Sequence, residues 1–261
     1  MDDERRQLPD PQPNWALFLD IDGTLLDIAA RPDAVFVPDG VVSLLAALNR
    51  SLDGAVALVS GRAIERIDAF FAPLILSAAG QHGAEIRIGN GAIKTFETPN
   101  GGAAELLPSI QAFASTRPGI LVEYKGMTIA IHYRAAPQYG AELEKFLDEA
   151  TAGQRAKLEI MRGHLVFDIK PRGVGKGTAV DRFMRTPSFA GRIPVFLGDD
   201  RTDEDGFAAA NRLGGFGVKV GGQGPTAAAW RMENPEEVRS WLAGFAQASD
   251  RSDGAPCKIS I

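Results

Sequence analysis

Trp15-Ala-Leu-Phe-Leu-Asp-Ile-Asp-Gly-Thr-Leu25 decides how this chain is read. From Trp15 to Leu19 every residue is apolar, and the run stops at Asp20. A short run without alternation suits a strand buried on both faces, as in parallel sheets covered by helices. The same signature recurs further along. A second such strand is predicted over 55–59, running through Ser60-Gly61-Arg62 into a helix over 63–71, and a third strand over 74–78. Val42, Leu45 and Leu48 stand at helical spacing within 41–49. Segments 84–88 and 92–96 flank Gly89-Asn90-Gly91, a hairpin signal. Buried strands alternating with helices predict an α/β domain on a parallel sheet.

After Pro99-Asn100-Gly101-Gly102 the pattern changes. A helix over 104–116 precedes paired strands over 119–123 and 127–134, around Lys125-Gly126. A helix over 138–151, with Leu143, Phe146, Leu147 and Ala150 on one face, precedes strands over 157–161 and 164–169. This α+β module reads as an insertion, because the first pattern then resumes. It continues with helix 176–184, strand 193–197, helix 203–211, strand 217–220 and a closing helix 235–246. The expected organisation is a disordered N-terminal arm over 1–13, a core of 14–102 and 166–247, an inserted module over 103–165 and a flexible tail over 248–261.

Composition narrows the function classes. The chain has 261 residues, 45% hydrophobic and 23% charged, which is globular usage. That length buries a core without staples. Twenty-eight basic against 33 acidic residues give a net charge of −5, which argues against nucleic acid or an anionic membrane as partner. The N-terminus is charged and proline-rich with no apolar stretch of a secretory signal. No apolar run approaches the roughly 18–20 residues that span a bilayer. Cys257 is the only cysteine, so no internal disulfide forms and a cytoplasmic location is expected.

The chemistry-bearing residues cluster at strand ends. Asp20 and Asp22 lie two apart, so both face one side of an extended segment. One carboxylate can attack as a nucleophile while the other moves a proton. Gly23 permits a tight turn, and Thr24 offers a hydroxyl and an amide to a phosphate. Gly198-Asp-Asp-Arg-Thr-Asp-Glu204 follows a later strand. Ligands of open α/β sheets bind outside the carboxyl ends of the strands. If the two strands are neighbours, the clusters converge and repel one another. A divalent cation relieves that repulsion, and all-oxygen ligation suits Mg2+. Isolated acidic residues also serve as helix caps, and 202–205 fits a capping-box variant.

Ser60 opens onto a helix, where a hydroxyl and backbone amides form an anion site, or where a serine simply caps. Lys176 begins a helix within Gly173-Val-Gly-Lys-Gly177 and can neutralise a phosphate, with Lys170 as a nearby competitor. That run lacks the spacing of a nucleotide phosphate loop. His82, His132 and His164 lack the spacing of a zinc site. A substrate contact stays open for His82, which ends a strand near the other residues.

Asp20-Ile-Asp-Gly-Thr-Leu25, Ser60, Lys176 and Gly198–Glu204, in that order, resemble the haloacid dehalogenase superfamily of phosphatases. More narrowly, the chain resembles the trehalose-6-phosphate phosphatase family. The segments carrying this are Ser60-Gly-Arg62, Gly80-Gln-His-Gly-Ala-Glu85, Val122-Glu-Tyr-Lys-Gly126, His132-Tyr-Arg134 and Lys170-Pro-Arg-Gly-Val-Gly-Lys-Gly177. The resemblance implies a Rossmann-like core with a parallel sheet and an inserted α+β cap. It implies Mg2+-dependent hydrolysis of trehalose 6-phosphate through an aspartyl-phosphate, with Asp20 as nucleophile and Asp22 as general acid and base. Thr24, Ser60, Gly61 and Lys176 would hold the phosphate. Asp20, the main-chain carbonyl of Asp22 and Asp199 would hold the metal, supported by Asp203. Glu123, Lys125, Arg134 and Asp168 would reach the sugar, with Arg134 on the strand paired to that of Glu123. Read without the resemblance, Glu123, Lys125 and Arg134 are a solvated cross-strand charge cluster. Asp168 stands where the family more often carries glutamate, and Ile21 where tyrosine is frequent. The expected partner is a small sugar phosphate, and the expected state a monomer. The alternatives are phosphatases of the same superfamily acting on sucrose phosphate, a hexose phosphate or a glycosyl-phosphoglycerate, a phosphotransferase or mutase, and a silent regulatory module. The last expects a lost aspartate, whereas both are present.

Overall fold

The apolar runs become strands because only a sheet covered on both faces hides them. A computed structural model describes residues 8–28, 35–95, 103–125, 127–163 and 165–252, except for the side chains of 245–252. The strands are β1 (Trp15–Leu19), β2 (Val56–Val59), β3 (Ser77–Gly80), β4 (Glu85–Arg87), β5 (Lys94–Thr95), β6 (Leu121–Tyr124), β7 (Ile129–His132), β8 (Leu158–Gly163), β9 (Val166–Pro171), β10 (Ile193–Gly198), β11 (Phe216–Val220) and β12 (Trp230–Met232). The helices are α1 (Val41–Ser51), α2 (Ile64–Phe71), α3 (Leu107–Ser115), α4 (Gly140–Ala150), α5 (Lys176–Phe183), α6 (Asp203–Arg212) and α7 (Pro235–Ser252).

Eight strands form one sheet in the order β12-β11-β10-β1-β2-β3-β4-β5. It is parallel from β12 to β3, and β4 and β5 add an antiparallel edge. Every residue of β1 is buried. Successive side chains of a strand face opposite sides. Trp15 accordingly meets Trp241 of α7, whereas Phe18 meets Phe183 of α5, so helices cover both faces.

The third strand lies later than the apolar residues over 74–78 suggested. Ile75 is exposed, and the pairing with β2 falls to Ser77, Ala78 and Ala79. Small residues there leave a weak hydropathy signal. The short edge strand β12 escaped the sequence pattern for a similar reason, since Arg231 interrupts it.

The inserted module forms a second, antiparallel sheet in the order β6-β7-β9-β8. Ile129, Ile131, Phe167 and Ile169 of this sheet share a separate apolar core with Ile110 of α3 and with Leu143 and Leu147 of α4. The boundary expected at 166 is corrected here. Strand β9 pairs with both β7 and β8 and buries Phe167 and Ile169 in the small core. It therefore belongs to the smaller sheet, which extends to Pro171. The terminal expectations also shift. Leu8 packs against the main core, and Arg192 donates to the Pro13 carbonyl at 2.8 Å, so 8–13 are held in place. Helix α7 continues to Ser252, past the expected start of the tail at 248. Residues 1–7 and 253–261 lie outside the described residues. Among the described residues no helix is long and apolar enough to cross a membrane.

Phe18 is fully buried and touches Phe183, Phe189 and Phe196. Phe18→Ala is expected to destabilise the protein by about 3–5 kcal/mol, measured by denaturant unfolding.

Candidate active site

Strands β1 and β10 are parallel neighbours with Leu19 opposite Leu197. The two acidic segments therefore leave the sheet side by side at its carboxyl edge. Asp20, Asp199 and Asp203 bring one carboxylate oxygen each to within 4.8 Å of one another. Gly23 adopts φ +82°, and a Cβ there would stand 2.2 Å from Asp199 Oδ2, so the loop can be made only with glycine. Asp203 Oδ2 accepts the Asp199 and Asp200 amides at 3.1 and 3.0 Å. Thr202 makes no side-chain cap, so the capping-box reading of this segment is not realised.

Lys176, the first residue of α5, is buried with its Nζ 2.7 Å from Asp20 Oδ1 and 2.6 Å from Asp203 Oδ1. Lys170 is directed elsewhere, to Glu159 at 3.1 Å and to the Val174 carbonyl. Asp205 Oδ2 accepts the Gly177 amide at 2.9 Å, which fixes the start of the helix. Burial pushes the Asp20 carboxyl well above the usual carboxylate range; Asp203 and Asp199 add to the push and Lys176 opposes it. Burial, Asp203 and Asp200 push Asp199 up to about 7. Burial works against the Lys176 ammonium, but Asp20 and Asp203 outweigh it and hold the group charged.

The side chain of Asp22 lies outside this cluster. Arg62 grips it through both carboxylate oxygens, at 2.6 and 2.7 Å, and the guanidinium also lies over the Phe70 ring at 4.8 Å. Sequence reasoning gave Arg62 no role, although Ser60-Gly-Arg62 is one of the segments that carry the resemblance. Thr24 Oγ1 donates to Asp20 Oδ2 at 3.4 Å. Ser60 is buried at the end of β2, and its Oγ accepts the Arg62 amide at 3.2 Å. Helix α2 begins only at Ile64, whose amide donates to Glu85 Oε2 at 2.9 Å. One amide of that helix N-terminus is therefore engaged by a carboxylate of the chain.

On the smaller sheet, strand alternation turns the apolar side chains toward α3 and α4 and the polar ones toward the main domain. Lys125 Nζ comes 3.5 Å from the Gly61 carbonyl and 3.7 Å from Glu123 Oε2. His132 Nε2 lies 3.2 Å from Glu123 Oε2, and this hydrogen bond, with Lys125, holds the Glu123 carboxyl below its usual range. Asp168 faces His82, with Oδ1 3.9 Å from Nε2. Burial, then Lys176, Lys125 and Lys170, hold His82 well below its usual range, so it is neutral at pH 7. Burial raises the Asp168 carboxyl. Arg134 departs from the expectation. Strand β7 ends at His132, and Arg134 sits exposed in the following turn, with no ion pair among the described residues. The turn forms because Tyr133 stacks on Phe167 and accepts the Ala136 amide. His164 and Gly126 lie outside the described residues.

The trehalose-phosphatase family model matches residues 18–236. This chain belongs to the trehalose-phosphatase family. Its members are phosphatases, and the chain is an enzyme of that class. The trehalose-6-phosphate phosphatase of Escherichia coli (strain K12) is 42% identical over 236 residues, which cover 90% of this chain and 88% of that protein. The C-terminal domain of the Candida albicans trehalose-6-phosphate phosphatase superposes with a TM-score of 0.79 at 24% identity, covering 90% and 92% of the two chains. A haloacid dehalogenase-like hydrolase from Bacillus subtilis superposes at 0.63 and 15% identity, covering 90% and 99%. The core is therefore a haloacid dehalogenase-type α/β fold.

The carboxylate cluster fits a divalent metal. One ammonium stands among two buried carboxylates and a half-buried one, which leaves negative charge uncompensated, and every donor is oxygen. A divalent cation, supplied as Mg2+, is expected to raise the thermal unfolding midpoint. The gain should be larger at about pH 8 than at about pH 5.5. With its folded pKa raised to about 7, Asp199 binds a proton below that pH, and the cation must displace it. Asp199→Asn should remove most of the gain.

Proposed function

We propose that this chain hydrolyses trehalose 6-phosphate to trehalose and phosphate, with Mg2+, through an aspartyl-phosphate on Asp20. The observation that carries the reading is the placement of Asp20. It stands buried at the carboxyl end of the central strand, ion-paired to Lys176, beneath a polar sheet face bearing Glu123, Lys125 and Asp168. The family match and the E. coli relative supply the substrate class. A cytoplasmic location goes with this reading, on the lone cysteine.

In this mechanism the phosphate enters between the main domain and the cap. Thr24, Ser60 and Gly61 line its seat, and Lys176 offsets charge on its oxygens. Asp20, Asp199, the Asp22 main-chain carbonyl and, in support, Asp203 would hold Mg2+, which when bound supplies further positive charge to the phosphate. Asp20 attacks phosphorus in line while the bond to the sugar oxygen breaks. Asp22, released from one of its two contacts with Arg62 and carrying a proton there, gives that proton to the sugar oxygen. It then takes a proton from the water that attacks the aspartyl-phosphate, which releases phosphate and restores Asp20. Glu123, Lys125 and Asp168 accept from and donate to the sugar hydroxyls, and the cap excludes bulk water. The shorter reach of Asp168 leaves other sugar phosphates as competitors, which phosphate release from a substrate panel separates.

Asp20→Asn is expected to lower phosphate release by roughly 10³-fold or more with an unchanged circular dichroism spectrum. Retained turnover would remove Asp20 from the nucleophile role. Lys125→Ala should lower kcat/KM for trehalose 6-phosphate by about ten- to a hundredfold, and that for p-nitrophenyl phosphate much less. Equal losses on the two esters would reject sugar recognition by the cap.

A further inference from the structure

Gly80-Gln-His-Gly-Ala-Glu85 joins β3 to β4, and the mechanism above uses none of it. Gln81 and His82 sit at φ 48° and 58°, in a left-handed region that residues with a Cβ rarely enter. Both are buried. Such a conformation persists where the surroundings over-determine it, and here they do. The Gln81 side-chain amide donates to Glu85 Oε1, while Glu85 Oε2 accepts the Ile64 amide at 2.9 Å. A carboxylate only accepts, so the NH2 of Gln81 must face Glu85 and its oxygen must face away. On that side stand donors from the hairpin between β6 and β7. The Met127 amide is 3.3 Å and the Thr128 hydroxyl 3.5 Å from Gln81 Oε1. The same hairpin carries Lys125, whose Nζ lies 3.5 Å from the Gly61 carbonyl. Gly61 in turn lies against the His82 ring, where a Cβ would come within 2.6 Å of Cε1.

We propose that Gln81, oriented by Glu85, is a positioning residue that seats the cap hairpin on the core and thereby sets which phosphate esters are turned over. Seated, the hairpin holds Lys125 over the Ser60–Gly61 loop, where it meets the sugar of a phosphate ester bound below. A small aryl ester makes no use of that contact. The substrate half of this inference rests on the function proposed above; the seat itself does not.

The donor and acceptor pattern supplies the test. Gln81→Glu sets two acceptors against each other and breaks the seat. Adding Glu85→Gln restores it. The amide at 85 then donates to the carboxylate at 81 and keeps its oxygen for the Ile64 amide, while the carboxylate still accepts from Met127 and Thr128. Hydrogen exchange at the Met127 amide reads the seat. The ratio of kcat/KM for trehalose 6-phosphate to that for p-nitrophenyl phosphate reads its consequence. Gln81→Glu is expected to speed Met127 exchange about tenfold and lower the ratio about tenfold, with recovery in the double variant. If Gln81→Glu does not fold, Thr128→Val decides by the same two readouts, with shifts of about threefold. Unchanged Met127 exchange, an unchanged ratio, or no recovery on the swap overturns the proposal. Failure of the unmodified protein to hydrolyse trehalose 6-phosphate would sink the substrate reading alone, because Met127 exchange still decides the seat.

Discussion

A buried ammonium shared by two buried carboxylates is the interaction on which the rest of this site depends. Lys176 stands between Asp20 and Asp203, and none of the three is solvated enough to carry its charge alone. Removing one partner from such a group leaves an uncompensated charge, which is far more costly than never having buried the group. The fold therefore has to deliver three distant parts of the chain to one point. Parallel pairing of β1 with β10 brings Asp20 beside the segment that carries Asp199 and Asp203. The start of α5, tied to Asp205, brings Lys176. Gly23 and Gly177 are used because a Cβ at either would collide with an aspartate of this cluster or its support.

The charge balance of that group also explains why the site is poised for ligands. Asp199 adds a further acidic group beside the triad, so the buried region carries more negative charge than Lys176 offsets. Meanwhile Asp22 is kept out of the cluster by its two-point contact with Arg62. Two carboxylates separated by a single residue thus meet different surroundings, one buried against a lysine and one half-exposed on an arginine. Different surroundings are what allow two chemically identical groups to take different roles. The smaller module completes the enclosure from the other side. Its strand alternation places an apolar face on its own helices and a polar face, with Lys125 and Asp168, toward the main domain.

Much of this was legible in the chain. Unbroken apolar runs ending in Asp20 and Gly198 gave both central strands and the place of the carboxylates. The change of pattern after Gly102 gave the insertion. The misreadings have physical causes. Hydropathy pointed to 74–78, but the pairing with β2 falls on Ser77, Ala78 and Ala79, small residues that carry little hydropathy signal. The strand over 164–169 was read with the inserted module, yet the boundary was set before 166; the pairing of β9 with β7 and β8 carries the module on to Pro171. Arg134 was grouped with Glu123 and Lys125 by the resemblance, on a strand expected to run to 134, whereas β7 ends at His132 and Arg134 falls in the turn beyond it.

By itself the sequence determined the class of fold, the acidic strand ends, and the candidates Asp20, Asp22, Ser60 and Lys176. These follow from local order, since burial pattern and residue type are properties of neighbours in the chain. Tertiary structure alone decided which charges meet. Lys176 rather than Lys170 reaches Asp20; Arg62 takes Asp22; Glu85 orients Gln81 toward the cap hairpin. The first two join residues 156 and 40 positions apart, and the third, itself local, turns Gln81 toward Met127, 46 positions on. A hydrogen bond or ion pair is set by distances of a few ångströms in space, and spacing along the sequence carries no record of them.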